Sequence, residues 1–71
     1  MDDFKISLAA ARVNAGLTQS DVAVKMHVSK ATIVSWEKGY TQIGVAELDY
    51  LSRLYSTPLE HILLPTSSTK N

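Results

Sequence analysis

The stretch Thr18-Gln-Ser-Asp-Val-Ala-Val-Lys-Met-His27-Val-Ser-Lys-Ala-Thr-Ile-Val-Ser-Trp-Glu-Lys-Gly39 decides the fold. Val22, Ala23 and Met26 recur one helical turn apart, His27 and Val28 interrupt the run, and Ile33 and Trp36 resume it in a three-residue step. Apolar residues at such intervals form one stripe of a helix, so the spacing predicts two short helices joined by a tight turn and crossing steeply. Thr18 with Asp21 three residues later is a variant of the capping box and opens the first helix at Gln19. Ser29 caps the second, from Lys30 to Lys38, and Gly39 supplies a left-handed residue past its end. By propensity alone Thr32-Ile33-Val34 favours a strand, and Ala31 to Trp36 in isolation fits either state. Its place after a capped helix selects the helix.

Working outward, Ser7 is an N-cap for the Ala-rich run Leu8 to Ala15, and Gly16 is its stop signal. After a loop through Tyr40 to Gly44, the residues Val45, Leu48, Leu51, Leu54 and Tyr55 repeat at three- and four-residue intervals and mark another helix, whose apolar face Tyr50 widens. Thr57-Pro58-Leu59-Glu60 reads as N-cap, first-turn proline and a carboxylate three after the cap, which predicts a short last helix. The expected class is therefore all-α, with five short helices at about 8–15, 19–26, 30–38, 45–55 and 58–64. They form one unit over 6–64, preceded by an N-terminal arm at 1–5. Pro65 closes it, and the polar 65–71 is expected to be a frayed tail.

The chain has 71 residues, 45% of them hydrophobic, with three Gly, two Pro and no Cys. One small domain of this size buries roughly 60% of its unfolded surface, which leaves little for an enclosed active site and favours a binding module. Without cysteine, packing alone must supply stability, and a reducing, cytoplasmic location fits. No apolar run approaches the roughly 20 residues that span a bilayer, and Met1-Asp2-Asp3 is acidic where a signal peptide would be basic, so no membrane partner is expected. Seven Lys and Arg balance seven Asp and Glu. From Thr18 to Thr41, Lys25, Lys30 and Lys38 outnumber Asp21 and Glu37 by one, so any non-specific affinity for nucleic acid should be low and easily removed by salt.

At Val22, Ala23, Met26, Val28, Ile33 and Trp36, counted from Gln19, the chain resembles the phage Cro and repressor (XRE-like) type of helix-turn-helix domain. Leu17-Thr18-Gln19 and Trp36-Glu37-Lys38-Gly39 are also similar to that family, and the match runs from about Ile6 to Leu64. One departure is His27, where the family often has Gly; histidine is among the non-glycine residues that tolerate a left-handed backbone. The resemblance implies a lambda-repressor-like fold with a central helix-turn-helix, whose second helix enters the major groove of operator DNA. It also implies dimers on pseudo-palindromic sites, with the C-terminal region in contact. Arg12 and Glu37 match a pair that ties the first helix to the third in related domains; phosphate binding by Arg12 is the alternative. Ala23, Val28, Ile33 and Trp36 complete the structural set.

By position, the resemblance makes Ser29, Lys30, Ala31 and Ser35 base-contacting sites, with Thr32 added, and Gln19, Lys38, Tyr40 and Thr41 phosphate-contacting sites. Only Lys30 has the reach and charge to grip guanine O6 and N7, so the set is poor in base readers. The lesser alternative for Lys30 and Lys38 is solvated surface charge. Val34, expected on the outer face, and the apolar Tyr50, Leu54, Leu63 and Leu64 are candidates for contact with a protein partner, whereas Leu48, Leu51, Leu59 and Ile62 are assigned to the core. Two functions follow. The first is a DNA-binding transcriptional regulator of phage or prophage origin acting as a homodimer; the second is an interaction protein, an antirepressor or co-repressor, that forms a heterodimer with a partner repressor. His27 and His61, with no cysteine and no clustered carboxylates, offer no catalytic or metal-binding constellation, so no enzyme activity, cofactor, metal or small-molecule substrate is expected, and His61 is read as a helix-surface residue.

Overall fold

Each helix starts and stops where the local chemistry directs it. In the computed structural model, which describes residues 4–65, the elements run β1 (Ile6–Ser7), α1 (Leu8–Asn14), α2 (Gln19–Met26), α3 (Lys30–Lys38), α4 (Val45–Leu54), a 3-10 turn (Leu59–His61) and β2 (Ile62–Leu63). Ser7 Oγ accepts from the Ala10 N–H at 3.0 Å to begin α1, and Gly16 leaves it with φ +77°. At α2 the capping box is complete: Thr18 Oγ1 accepts from the Asp21 N–H at 3.0 Å and Asp21 Oδ2 accepts from the Thr18 N–H at 2.9 Å. The Thr18 N–H donating to the Asp21 carboxylate, and after it the Thr18 hydroxyl beside that carboxylate, hold the Asp21 carboxyl below its ordinary pKa. His27 ends α2 in the left-handed region with φ 59°, and Gly39 ends α3 with φ 80°.

The core gathers Leu8 and Ala11 from α1, Val22 and Ala23 from α2, Ile33 and Trp36 from α3, Leu51 from α4, and Ile43, Tyr55 and Ile62 from the segments around α4. Burying a Val, Leu or Ile fully contributes about 1.5–3 kcal/mol, so these few side chains carry most of the fold. Ala23 lies where α2 and α3 meet, and its small side chain lets the two helices approach. Val28, Leu17, Met26, Leu48, Leu54, Leu64 and Ile6 are half-buried against this cluster.

Several expectations need correction. Among the described residues there are four α-helices rather than five, because 58–64 forms a single 3-10 turn followed by an extended pair of residues. Thr57 is not an N-cap: its Oγ1 donates to the Tyr55 carbonyl at 3.1 Å, while Pro58 sits at ψ 146° before the turn. Ile62 instead pairs with Ile6 in a parallel two-stranded ladder, with Ser7 opposite Leu63, which holds the segment extended. The class is thus helical with a small strand pair. Leu59, assigned to the core, is 44% exposed, and Val45, placed on the apolar face of α4, is 86% exposed. At the first turn of α4 the backbone lies at the rim, so its apolar stripe begins only at Leu48. His61 belongs to the 3-10 turn, with its ring edge-on to Phe4 at 5.9 Å between centroids. Residues 1–3 of the expected arm and 66–71 of the expected tail lie outside the described residues. Among those described, no helix is long and apolar enough to cross a membrane.

Candidate nucleic-acid interface

α3 sits on the body through Ile33 and Trp36, both buried, so its other side is free. Lys30, Ala31 and Lys38 are exposed there, and Thr32, Val34 and Ser35 are half-buried. Ser29 Oγ accepts from the Thr32 N–H at 3.1 Å and shares a hydrogen bond of 2.9 Å with Thr32 Oγ1. That pair caps the helix and fixes two hydroxyls beside the Lys30 and Ala31 backbone. Lys30 and Lys38 are eight residues apart, which sets their backbones roughly 12 Å from one another along the axis. Tyr40 and Thr41 follow the left-handed Gly39 and are exposed, with both of their N–H groups donating to the Ser35 carbonyl, at 2.9 and 3.5 Å. The residues expected to contact bases therefore gather at the N-cap and the first two turns of α3, and Lys38, Tyr40 and Thr41 lie at its far end.

Gln19 is placed differently from these. It is half-buried at the start of α2, and its Nε2 donates to Glu37 Oε1 at 3.0 Å. Its amide oxygen and second N–H remain for another partner. Glu37 also accepts from Arg12 Nε at 2.7 Å and Arg12 Nη2 at 3.3 Å, while Arg12 Nη1 donates to the Leu17 carbonyl at 3.0 Å. The Arg12 and Glu37 side chains are only 13% and 7% exposed. All three guanidinium nitrogens are thus engaged inside the fold, and the hydrogen bonds that Arg12 donates to Glu37 raise its pKa above its already high ordinary value. This network ties α1, the start of α2 and the end of α3 together behind the exposed face. The amide of Gln19 in it was not foreseen; no local pattern marks a contact between residues 18 apart.

Of the residues assigned to a protein partner, Leu54 and Leu64 pack against the core, while Tyr50 and Leu63 are 42% and 55% exposed. Val34 is not part of the core cluster. Two further exposed valines, Val13 and Val24, stand outside the apolar stripes of their helices and join Val45 at the surface. Among the described residues no group of three His, Asp or Glu is arranged to hold a metal ion. The family model described as helix-turn-helix matches residues 8–62. No curated protein and no solved structure matches the chain.

Proposed function

We propose, from the premise that this chain belongs to the Cro and repressor type of helix-turn-helix family, that it is a DNA-binding transcriptional regulator of phage or prophage origin which inserts α3 into the major groove of an operator. The carrying observation is the separation of the two sides of α3: Ile33 and Trp36 inside, with Lys30, Ala31, Val34, Ser35 and Lys38 turned away from them and Ser29 and Thr32 at the N-terminal rim. Lys30 supplies the one long cationic reader, Ala31 and Thr32 offer methyl groups to thymine, and Lys38, Tyr40 and Thr41 reach phosphates beyond the helix. Gln19 presents its remaining amide groups to the same strand. A homodimer on a pseudo-palindromic site, with Leu63 and Tyr50 in the contact, fits this arrangement.

A titration against duplexes selected from a random pool, at low and at physiological salt, tests the assignment. Lys30→Ala combined with Ser35→Ala is expected to erase sequence preference and leave a weak, salt-sensitive residue of binding. Preference unchanged from the parent chain overturns it.

A second role rests on a different observation. Val13, Val24 and Val45 are each more than 60% exposed, and the chain has no net charge, which suits an antirepressor or co-repressor that meets a partner repressor as a heterodimer. Size-exclusion chromatography of the chain mixed with a repressor encoded beside it separates the roles: a stable complex supports the second, and two independent peaks dismiss it.

A further inference from the structure

Gly39 is covered by Pro65. A β carbon added at Gly39 would stand 2.9 Å from Pro65 Cβ and 3.1 Å from Pro65 Cγ, so the pyrrolidine ring rests directly on the residue that ends α3. Beside this contact lies a cleft of about 370 Å³, with Trp36, Tyr40, Thr41 and Ile43 on one side and Leu64 and Pro65 on the other. Among the described residues the side chains of Tyr40 and Thr41 make no hydrogen bond, and both backbone N–H groups share the single Ser35 carbonyl, the second at a long 3.5 Å. The opposite wall is anchored: Ile62 is buried and paired with Ile6, and Leu64 packs against the core.

We propose that Pro65 is a positioning residue for DNA binding, acting through the Gly39–Thr41 loop that it holds from behind. The inference rests on the DNA-binding role proposed above and extends it to a residue far along the chain. Tyr40 and Thr41 are too exposed to fix their own place; a hydroxyl that is to meet a phosphate oxygen must already lie within hydrogen-bonding reach, and the ring against Gly39 limits where the loop can go. Pro65 contributes through contact and shape, touching no nucleic acid itself. Its own fixed φ and missing N–H suit a wall that needs no hydrogen-bond partner.

Pro65→Gly removes the ring and Pro65→Val restores apolar volume in its place. In hydrogen exchange, the Tyr40 and Thr41 amides of Pro65→Gly are expected to exchange about tenfold faster than in the parent, with the amides of α1 to α3 unchanged and Pro65→Val close to the parent. In duplex titration, Pro65→Gly is expected to weaken binding to the selected sequence and to random DNA by the same factor, of order tenfold, because phosphate contacts carry no sequence information. Tyr40 and Thr41 amides that exchange as in the parent, in a folded Pro65→Gly, overturn the buttress. Faster exchange with unaltered DNA affinity overturns its part in binding. A parent chain that selects no duplex removes the DNA-binding role instead, and is recognised by that result before any variant is compared.

Discussion

Glu37 accepts three hydrogen bonds from two residues, Arg12 and Gln19, in a site where little water reaches it. A carboxylate near the C-terminal end of α3 faces the negative end of the helix dipole, so it needs these donors. With the pair this shielded, removing one charge leaves the other uncompensated, which is far more costly than losing a surface ion pair. Glu37→Gln is expected to lower stability by about 3 kcal/mol, measured by urea unfolding, because its amide retains one acceptor oxygen but turns an NH2 toward the guanidinium. An unchanged unfolding midpoint would show that Arg12 does not depend on this partner. Arg12 and Glu37 were legible through family resemblance, since both sit at matching positions. Gln19 was legible as a helix start only; the direction its amide takes depends on where α3 lies, and the sequence near Gln19 carries no trace of that.

Among the elements, the caps were readable because they are local chemistry: a hydroxyl or carboxylate meets an N–H three residues on, and glycine permits a left-handed exit. The C-terminal segment was misread for the same reason. Thr57-Pro58-Leu59-Glu60 carries a helix-start pattern, yet what shapes the segment is Ile62 lying against Ile6, a partner distant in sequence. A second element hid in plain view at the end of α4, where Ser56 takes φ 52° without glycine's freedom. The turn is held by the Thr57 N–H donating to the Ser52 carbonyl at 2.9 Å and by Ser52 Oγ donating to the Thr57 carbonyl at 2.7 Å. A left-handed backbone strains a residue with a β carbon, so Ser56→Gly is expected to raise stability by about 0.5–1 kcal/mol, the gain reduced by glycine's greater freedom when unfolded. Thermal denaturation reads this directly, and a lowered melting temperature would mean that the serine side chain stabilises the turn in some other way.

For the molecule as a whole, Tyr55 links packing to pH. It is 4% exposed, and burial, with the Glu37 carboxylate adding to it, pushes its phenol from 10.0 up to about 12. The folded chain keeps a proton that the unfolded chain loses above pH 10, so stability is complete below that value and falls as pH rises through the window to about 12. Tyr55→Phe is expected to lose stability less steeply across that range; parallel alkaline unfolding curves for the two chains would show that the phenol plays no part. Elsewhere the division of labour is clear. Core and caps were written in short-range pattern, while the site's support, through the Arg12 network and Pro65, is assembled from residues that approach each other only after folding.

The Ile6 and Ile62 pairing has one more consequence. Because these two residues are neighbours in a parallel ladder, the chain enters and leaves the domain at the same edge, pointing the same way. A unit of this kind can be spliced into an exposed loop of a carrier protein without prising that loop apart, or strung in series with copies of itself through short connectors. Tension applied to its two ends would first lift Pro65 from Gly39 and then shear the ladder, so the loop after α3 would slacken before any helix unwound.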